Sequence, residues 1–290
     1  KFLKLVKMLT FGRLQARAIK KFASKVIIYT ENQTPYVMRH GLTDKTIYLN
    51  TPMDILNYRA EVDEDLKKEF ALYDTVFFMF ARHSWKSVWS DPKGNDKFIR
   101  AYARFVADHQ PNTLLLMTKK GTDYLASRKL VEDLGIEDKY YRWIGEMPKY
   151  KFKTYQALPN VVMVDNFWHD SWFDRYPEQP DEPRICLGFG CVETLASQGL
   201  LLTAFRDHGV YGGEDAPILN AFTEDQIYSK LIEANNMSGA ERDKMRHAGF
   251  DFAVKWHEQT LVIYKHIDVL RNVMDDLLKK RNVAHTAIKK

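Results

Sequence analysis

The sequence predicts an α/β fold with a doubly wound parallel sheet, and three observations carry the prediction. The runs "TVFFMFA" (75–81), "TLLLM" (113–117) and "VVMVD" (161–165) are almost wholly apolar, as strands buried on both faces must be. Each is followed by a segment of helical pattern, the alternation that places helices on both faces of a parallel sheet. The chain has 290 residues and is 45% apolar, enough to bury a sizeable core.

Taken in order, "VIIYT" (26–30) reads as a strand and "TPYVMRHGL" as a short helix with Pro35 in its first turn and Gly41 as its stop. "TIYLN" (46–50) is a second strand, and "NTPMD" (50–54) is a break where two regions are joined. Residues 61–72 form a charged amphipathic helix. After the strand at 75–81, Phe98, Ile99, Tyr102, Phe105 and Val106 mark one face of a helix starting near Asn95 or Asp96. The unit repeats with a strand at 113–117, the turn "TKKGT" and a helix over 123–134 closed by Gly135. A strand at 140–144, a helix at 149–157 and the strand at 161–165 follow. Further elements are a helix at 191–198, the strand "LLLT" (200–203), a short strand near 217–219, and helices at 224–234 and from 239 to beyond 250. The segment "WHEQTLVIYKHIDVLRNVMDDLLKK" holds no Gly or Pro and reads as one helix.

Charge and cysteine content narrow the function classes. The net charge of +5, from 43 basic and 38 acidic residues, suits an anionic ligand or surface and calls for no nucleic acid. Cys186 and Cys191 are the two cysteines, read as ordinary buried thiols. With no secretory signal or transmembrane run visible, a cytoplasmic setting is expected.

In a doubly wound sheet, ligands bind at the carboxyl ends of the strands. The loop "ARHSWKSVWSDPKGNDKF" puts Arg82, Lys86 and Lys93 between a strand end and a helix start, with Gly94 allowing close backbone approach. Cations beside free helical N–H groups suit a phosphate. "TKKGTD" repeats the arrangement with Lys119, Lys120 and Gly121. In "GFGCVETLASQG" (188–199), Gly188 and Gly190 open a third helix start near Glu193, whose carboxylate accepts well from vicinal hydroxyls such as those of a ribose. Other motifs are absent: Glu193 occupies the third glycine position of a GxGxxG, no Walker lysine follows a glycine loop, and no GxSxG occurs. His169 with Asp165 and Asp170 lacks a spaced partner and reads as a polar loop, so no metal site is expected.

These motifs, in this order, resemble the nucleotide-sugar half of GT-B glycosyltransferases, particularly the retaining family 4 type. "VFFMFARHSWKSVWSDPKGNDKFIRAYARF", "LLLMTKKG" and "GFGCVETLASQGLLLT" carry the resemblance, which spans roughly residues 25–256. It implies a Rossmann-like donor domain in which Arg82 and Lys93 hold the donor diphosphate as catalytic cations. Lys86 competes with Lys93 for that role, because the loop is longer than the family's. Gly94, Lys119, Gly121, Gly145, Gly188 and Gly190 would complete the donor site, and Glu193 would bind the ribose. No obligatory cofactor or metal is implied; the donor is a nucleoside-diphosphate sugar and the acceptor a glycan or lipid-linked group. The sequence departs from the family at Ile185, where its first acid stands, and in the aromatic and acidic insertion "NFWHDSWFDRYPEQPDEP" (166–183).

The implied division is 1–53 as the end of an acceptor-side domain, apparently incomplete, 54–256 as the nucleotide-sugar-binding domain, and 257–290 as a crossing helix with a basic tail. Residues 1–25 carry eight Lys and Arg and no acid, interleaved with apolar residues. Such a segment suits the cytoplasmic face of an anionic membrane and suits equally the outer helix of a domain. Two further readings stay open: a nucleotide-sugar-binding subunit without catalysis, and a peripheral membrane or RNA-binding protein using the basic first helix.

Overall fold

The structure is a computed structural model that describes residues 14–29, 34–58, 60–86, 93–167, 187–206 and 210–288. Its larger unit is a six-stranded sheet of β3 (Thr75–Met79), β4 (Thr113–Thr118), β5 (Tyr141–Ile144), β6 (Val161–Val164), β7 (Leu200–Thr203) and β8 (Leu219–Asn220). The spatial order is β5-β4-β3-β6-β7-β8 and every pairing is parallel. The sheet is therefore doubly wound, as its apolar runs predict. From β3 the chain steps outward through β4 to β5, then returns to the other side of β3 for β6. Strand order reverses there, so the loops leaving β3 and β6 diverge and leave a crevice between them.

Both faces of the sheet are covered, which is why its central strands are uniformly apolar. Strand periodicity sends Phe77 and Met79 to one face and Val76 and Phe78 to the other. The first face packs on α4 (Asn95–His109), α5 (Tyr124–Asp133) and α8 (Glu224–Asn236). On α4, Phe98, Ile99, Tyr102, Phe105 and Val106 are all buried, the stripe read from the sequence. The second face packs on α6 (Lys149–Ala157), α7 (Phe189–Ala196) and α9 (Gly239–His257), with Met53, Ile55 and Tyr58 of the entering segment and Phe70 of α3 (Glu64–Phe70).

The smaller unit pairs β1 (Val26–Ile28) with β2 (Thr46–Tyr48) in parallel, joined through α2 (Thr34–Arg39), around Ile28, Val37 and Leu42. Residues 14–22 form helix α1, which turns Ala16 inward and leaves Leu14 and Phe22 exposed. Lys45 Nζ donates to the Lys20 and Ala23 carbonyls at the end of α1.

Several boundaries differ from the sequence reading by a few residues, the strands read at 26–30, 46–50 and 75–81 spanning 26–28, 46–48 and 75–79. The helix expected over 61–72 spans 64–70, because Asp63 caps it by accepting from the Asp65 and Leu66 amides. The helix expected from 191 begins at Phe189, with Gly188 extended at its cap. The last segment is not one helix: α9 ends at His257, and α10 (Gln259–Ile288) starts after Glu258, whose ψ of 126° breaks the helical ladder. The cause lies about 200 residues upstream. Glu258 Oε2 accepts from the Ile55 and Leu56 amides at 2.9 and 3.2 Å, while Met53 N donates to His257 O and Gln259 N donates to Met53 O. The "NTPMD" segment is thus stapled to the α9–α10 junction, where the chain passes twice between the two units.

Candidate functional site

The β3–α4 and β4–α5 loops are folded onto each other at the carboxyl end of the sheet. His83 N donates to Lys120 O at 2.8 Å, and Asp123 N donates to His83 O at 3.0 Å. Gly121 makes this approach feasible. Its φ of +112° is one that L residues rarely adopt, and a Cβ there would lie 2.3 Å from His83 O. The expected donor glycine therefore also joins the two loops.

His83 is buried with Nδ1 2.9 Å from Ser127 Oγ, and Trp85 Nε1 donates to the same oxygen at 2.8 Å. Burial pushes the His83 pKa down to about 4, so the ring is neutral at physiological pH. Asp123 Oδ2 accepts from the Trp85 and Lys86 amides at 2.6 and 2.8 Å. None of these anchors was read from the sequence, because periodicity does not report contacts between loops.

Arg82 and Lys86 are exposed at the start of the β3–α4 loop, with the Lys86 ammonium over the Trp85 ring. Lys93 and Gly94 stand at its end. Gly94 caps α4 in the left-handed conformation (φ 63°), Lys93 N donates to Ser84 O, and Asn95 Oδ1 accepts from Ser84 N at 3.0 Å. Phe167 N donates to Lys93 O at 3.0 Å. That bond ties the end of the β3–α4 loop to the segment leaving β6 and puts Lys93 at the crevice where strand order reverses.

The remaining expected residues line the same end of the sheet. Lys119 and Gly145 are exposed where β4 and β5 finish, with Lys119 N donating to Ile144 O at 2.8 Å. Gly188 and Gly190 open α7 beside β3 and β6. A Cβ on Gly190 would lie 2.6 Å from the Phe80 ring, and one on Gly188 3.3 Å from Asp165 Oδ2. Asp165 also accepts from Cys191 Sγ at 2.9 Å. Burial, and next the Asp165 charge, push the Cys191 thiol well up, so it is a protonated donor there. Cys186, Ile185, His169 and Asp170, and the insertion beyond Phe167, lie outside the described residues.

Glu193 is only 8% exposed, and its Oε1 is 2.5 Å from Lys149 Nζ. Tyr58, from the segment entering the domain, lies alongside. Burial first, and then the Glu193 charge, hold its hydroxyl above the ordinary tyrosine range. Next to this group, Phe78, Phe80, Thr118, Lys120, Glu146, Met147, Lys149 and Phe152 line a pocket of about 250 Å³. Lys120 and Glu146 pair across it at 3.6 Å. Its aromatic residues lie on the strand and helix faces and read in the sequence as core, which is why only the loop residues nearby, Lys119, Lys120, Gly121 and Gly145, were singled out.

No family model matches the chain, and no curated protein matches it. Solved structures similar to it include Anabaena HepE in complex with UDP and glucose (15% identity, TM-score 0.60, covering 90% of this chain and 66% of HepE). A second is the sucrose-phosphate synthase of Thermosynechococcus elongatus (12% identity, TM-score 0.62, covering 91% of this chain and 62% of the synthase). A third is a glycosyltransferase from Rickettsia africae (12% identity, TM-score 0.58, covering 89% of this chain and 67% of that one). The chain thus spans about two thirds of the length of these proteins. The likenesses show its fold, the Rossmann-like α/β architecture of GT-B glycosyltransferases.

Proposed function

We propose that the chain contains the donor-binding half of a glycosyltransferase that takes a nucleoside-diphosphate sugar, in a cytoplasmic setting. The observation that carries this reading is the Phe167 N to Lys93 O bond. It anchors the main chain of Lys93 at the head of α4, beside the crevice where ligands of doubly wound sheets bind, and so supports a cation acting there. Arg82 and Lys93 would hold the diphosphate, with Lys86 beside them. Glu193 would accept from the ribose hydroxyls, and the base would enter the pocket lined by Phe80, Thr118, Met147 and Phe152. HepE, the similar structure that holds UDP and glucose, supports a uridine donor, and the sequence resemblance supports retention.

In the reaction, the bond between the anomeric carbon and the phosphate oxygen breaks as the acceptor oxygen bonds to that carbon. The acceptor's proton passes to the departing phosphate. Negative charge grows on the diphosphate, and preplaced cations lower the barrier by stabilising it. The acceptor, a glycan or lipid-linked group, would approach from the side of the smaller unit. The exposed Arg17, Lys20, Lys21 and Phe22 of α1 would suit an anionic membrane there, although no helix among the described residues is long and apolar enough to cross one.

A second reading, a nucleotide-sugar-binding subunit without catalysis, is favoured by Ile185 in place of the family's first acid. Turnover separates the two. Incubation with UDP-glucose and candidate acceptors should release UDP if the first reading holds. Tight binding without release of UDP, alone or with acceptor, would favour the second.

A further inference from the structure

We propose that Asp123 is the positioning residue of the diphosphate-binding loop, a role that rests on the donor-site reading above. The β3–α4 loop leaves the sheet at Arg82, and its main chain is fixed within four residues. Asp123 Oδ2 accepts from two successive amides, Trp85 N at 2.6 Å and Lys86 N at 2.8 Å. The Asp123 amide donates to His83 O at 3.0 Å, so both the backbone and the side chain of one residue grip the loop. Ser127, one turn further along α5, receives Trp85 Nε1 at 2.8 Å and lies 2.9 Å from His83 Nδ1. Charge-assisted bonds to a carboxylate are the stronger kind, so Asp123 is the principal anchor of the group.

Two consequences follow for the ligand. The main chain next to Arg82 is organised before any diphosphate arrives, so little ordering cost falls on binding. In addition, the Trp85 and Lys86 amides already serve a carboxylate, which leaves recognition of the diphosphate to Arg82, Lys93 and the head of α4. Asp123 itself touches no substrate and acts through the loop.

The test uses the whole chain and compares calorimetric binding of UDP and uridine to the wild type, Asp123→Ala, Asp123→Asn and Ser127→Ala. Asp123→Ala should weaken UDP about tenfold or more, because the cost of ordering the loop then falls on binding, while uridine binds within about twofold of the wild type. Asp123→Asn keeps an acceptor oxygen and should restore most of the UDP affinity. Ser127→Ala should show the same selective loss to a smaller extent, and it carries the test if Asp123→Ala does not fold. Equal losses for uridine and UDP, or no loss for either, would overturn the positioning role while leaving the donor site in place. Failure of UDP, GDP and ADP alike to bind the wild type would overturn the donor-site reading and this role with it.

Discussion

Lys149 Nζ lies 2.5 Å from Glu193 Oε1, joining the start of α6 to the middle of α7 at the carboxyl end of the sheet. The pair is asymmetric: Glu193 is nearly enclosed, while the lysine side chain is 60% exposed. Solvent around the lysine screens the pair, so it contributes only on the order of 1 kcal/mol to holding the structure together. Its greater effect is to hold the carboxylate in one orientation. Glu193→Ala should therefore cost about 1–3 kcal/mol of nucleotide binding, the worth of a hydrogen bond to a charged group. Lys149→Ala should leave thermal stability nearly unchanged. Calorimetric titration and a melting curve measure the two effects.

Gly121 meets the His83 backbone with no room for a side chain. In Gly121→Ala the added Cβ would sit at 2.3–2.8 Å from His83 main-chain atoms, at a φ that alanine tolerates poorly. Strain of this kind costs on the order of 1–3 kcal/mol, and the clash adds to it. Urea unfolding should show a lower midpoint with an unchanged slope, and a variant as stable as the wild type would contradict the packing described.

Glu258 satisfies two amides where the chain passes between its two units. In Glu258→Ala the Ile55 N–H keeps only its bond to Met53 O and the Leu56 N–H loses its Glu258 acceptor, at a cost of about 1–3 kcal/mol for bonds to a charged group. Glu258→Gln should lose less, because it still offers an oxygen. A denaturation series on the two variants tests the order, which a purely electrostatic role for Glu258 would not produce.

Two buried histidines set an acid limit. Burial lowers His83 and His257 from the ordinary 6.5 to about 4. His257 lies 3.0 Å from both Tyr211 OH and Thr51 O. The folded state holds both rings neutral, while the unfolded chain binds protons below 6.5. Their stabilisation is thus complete above pH 6.5 and is lost as the pH falls toward 4, on the order of 3 kcal/mol for each ring. His257→Gln should flatten the decline in melting temperature between pH 6.5 and 4, and an unchanged slope would count against this assignment.

The sheet was legible in the sequence because strands buried on both faces cannot alternate with polar residues. Phe77, Leu115 and Val162 sit in runs that only the middle of a covered sheet would tolerate. The cations of the β3–α4 loop were legible for a similar local reason, since a strand end, a glycine and a helix start lie within 20 residues. What escaped depends on distant partners. Nothing near Glu258 signals a helix break, because Ile55 and Leu56 impose it from across the chain. Asp123 reads as an ordinary helix-start acid until the β3–α4 loop folds onto it, and Lys149 reads as a surface lysine until Glu193 meets it.

The most direct test of the donor site is calorimetric titration of the wild type, Arg82→Ala and Lys93→Ala with UDP, GDP and ADP. A site at the head of α4 predicts micromolar binding of one diphosphate, weakened about tenfold or more in each variant, with the melting temperature little changed. Absence of binding by all three nucleotides, or full affinity in both variants, would contradict it.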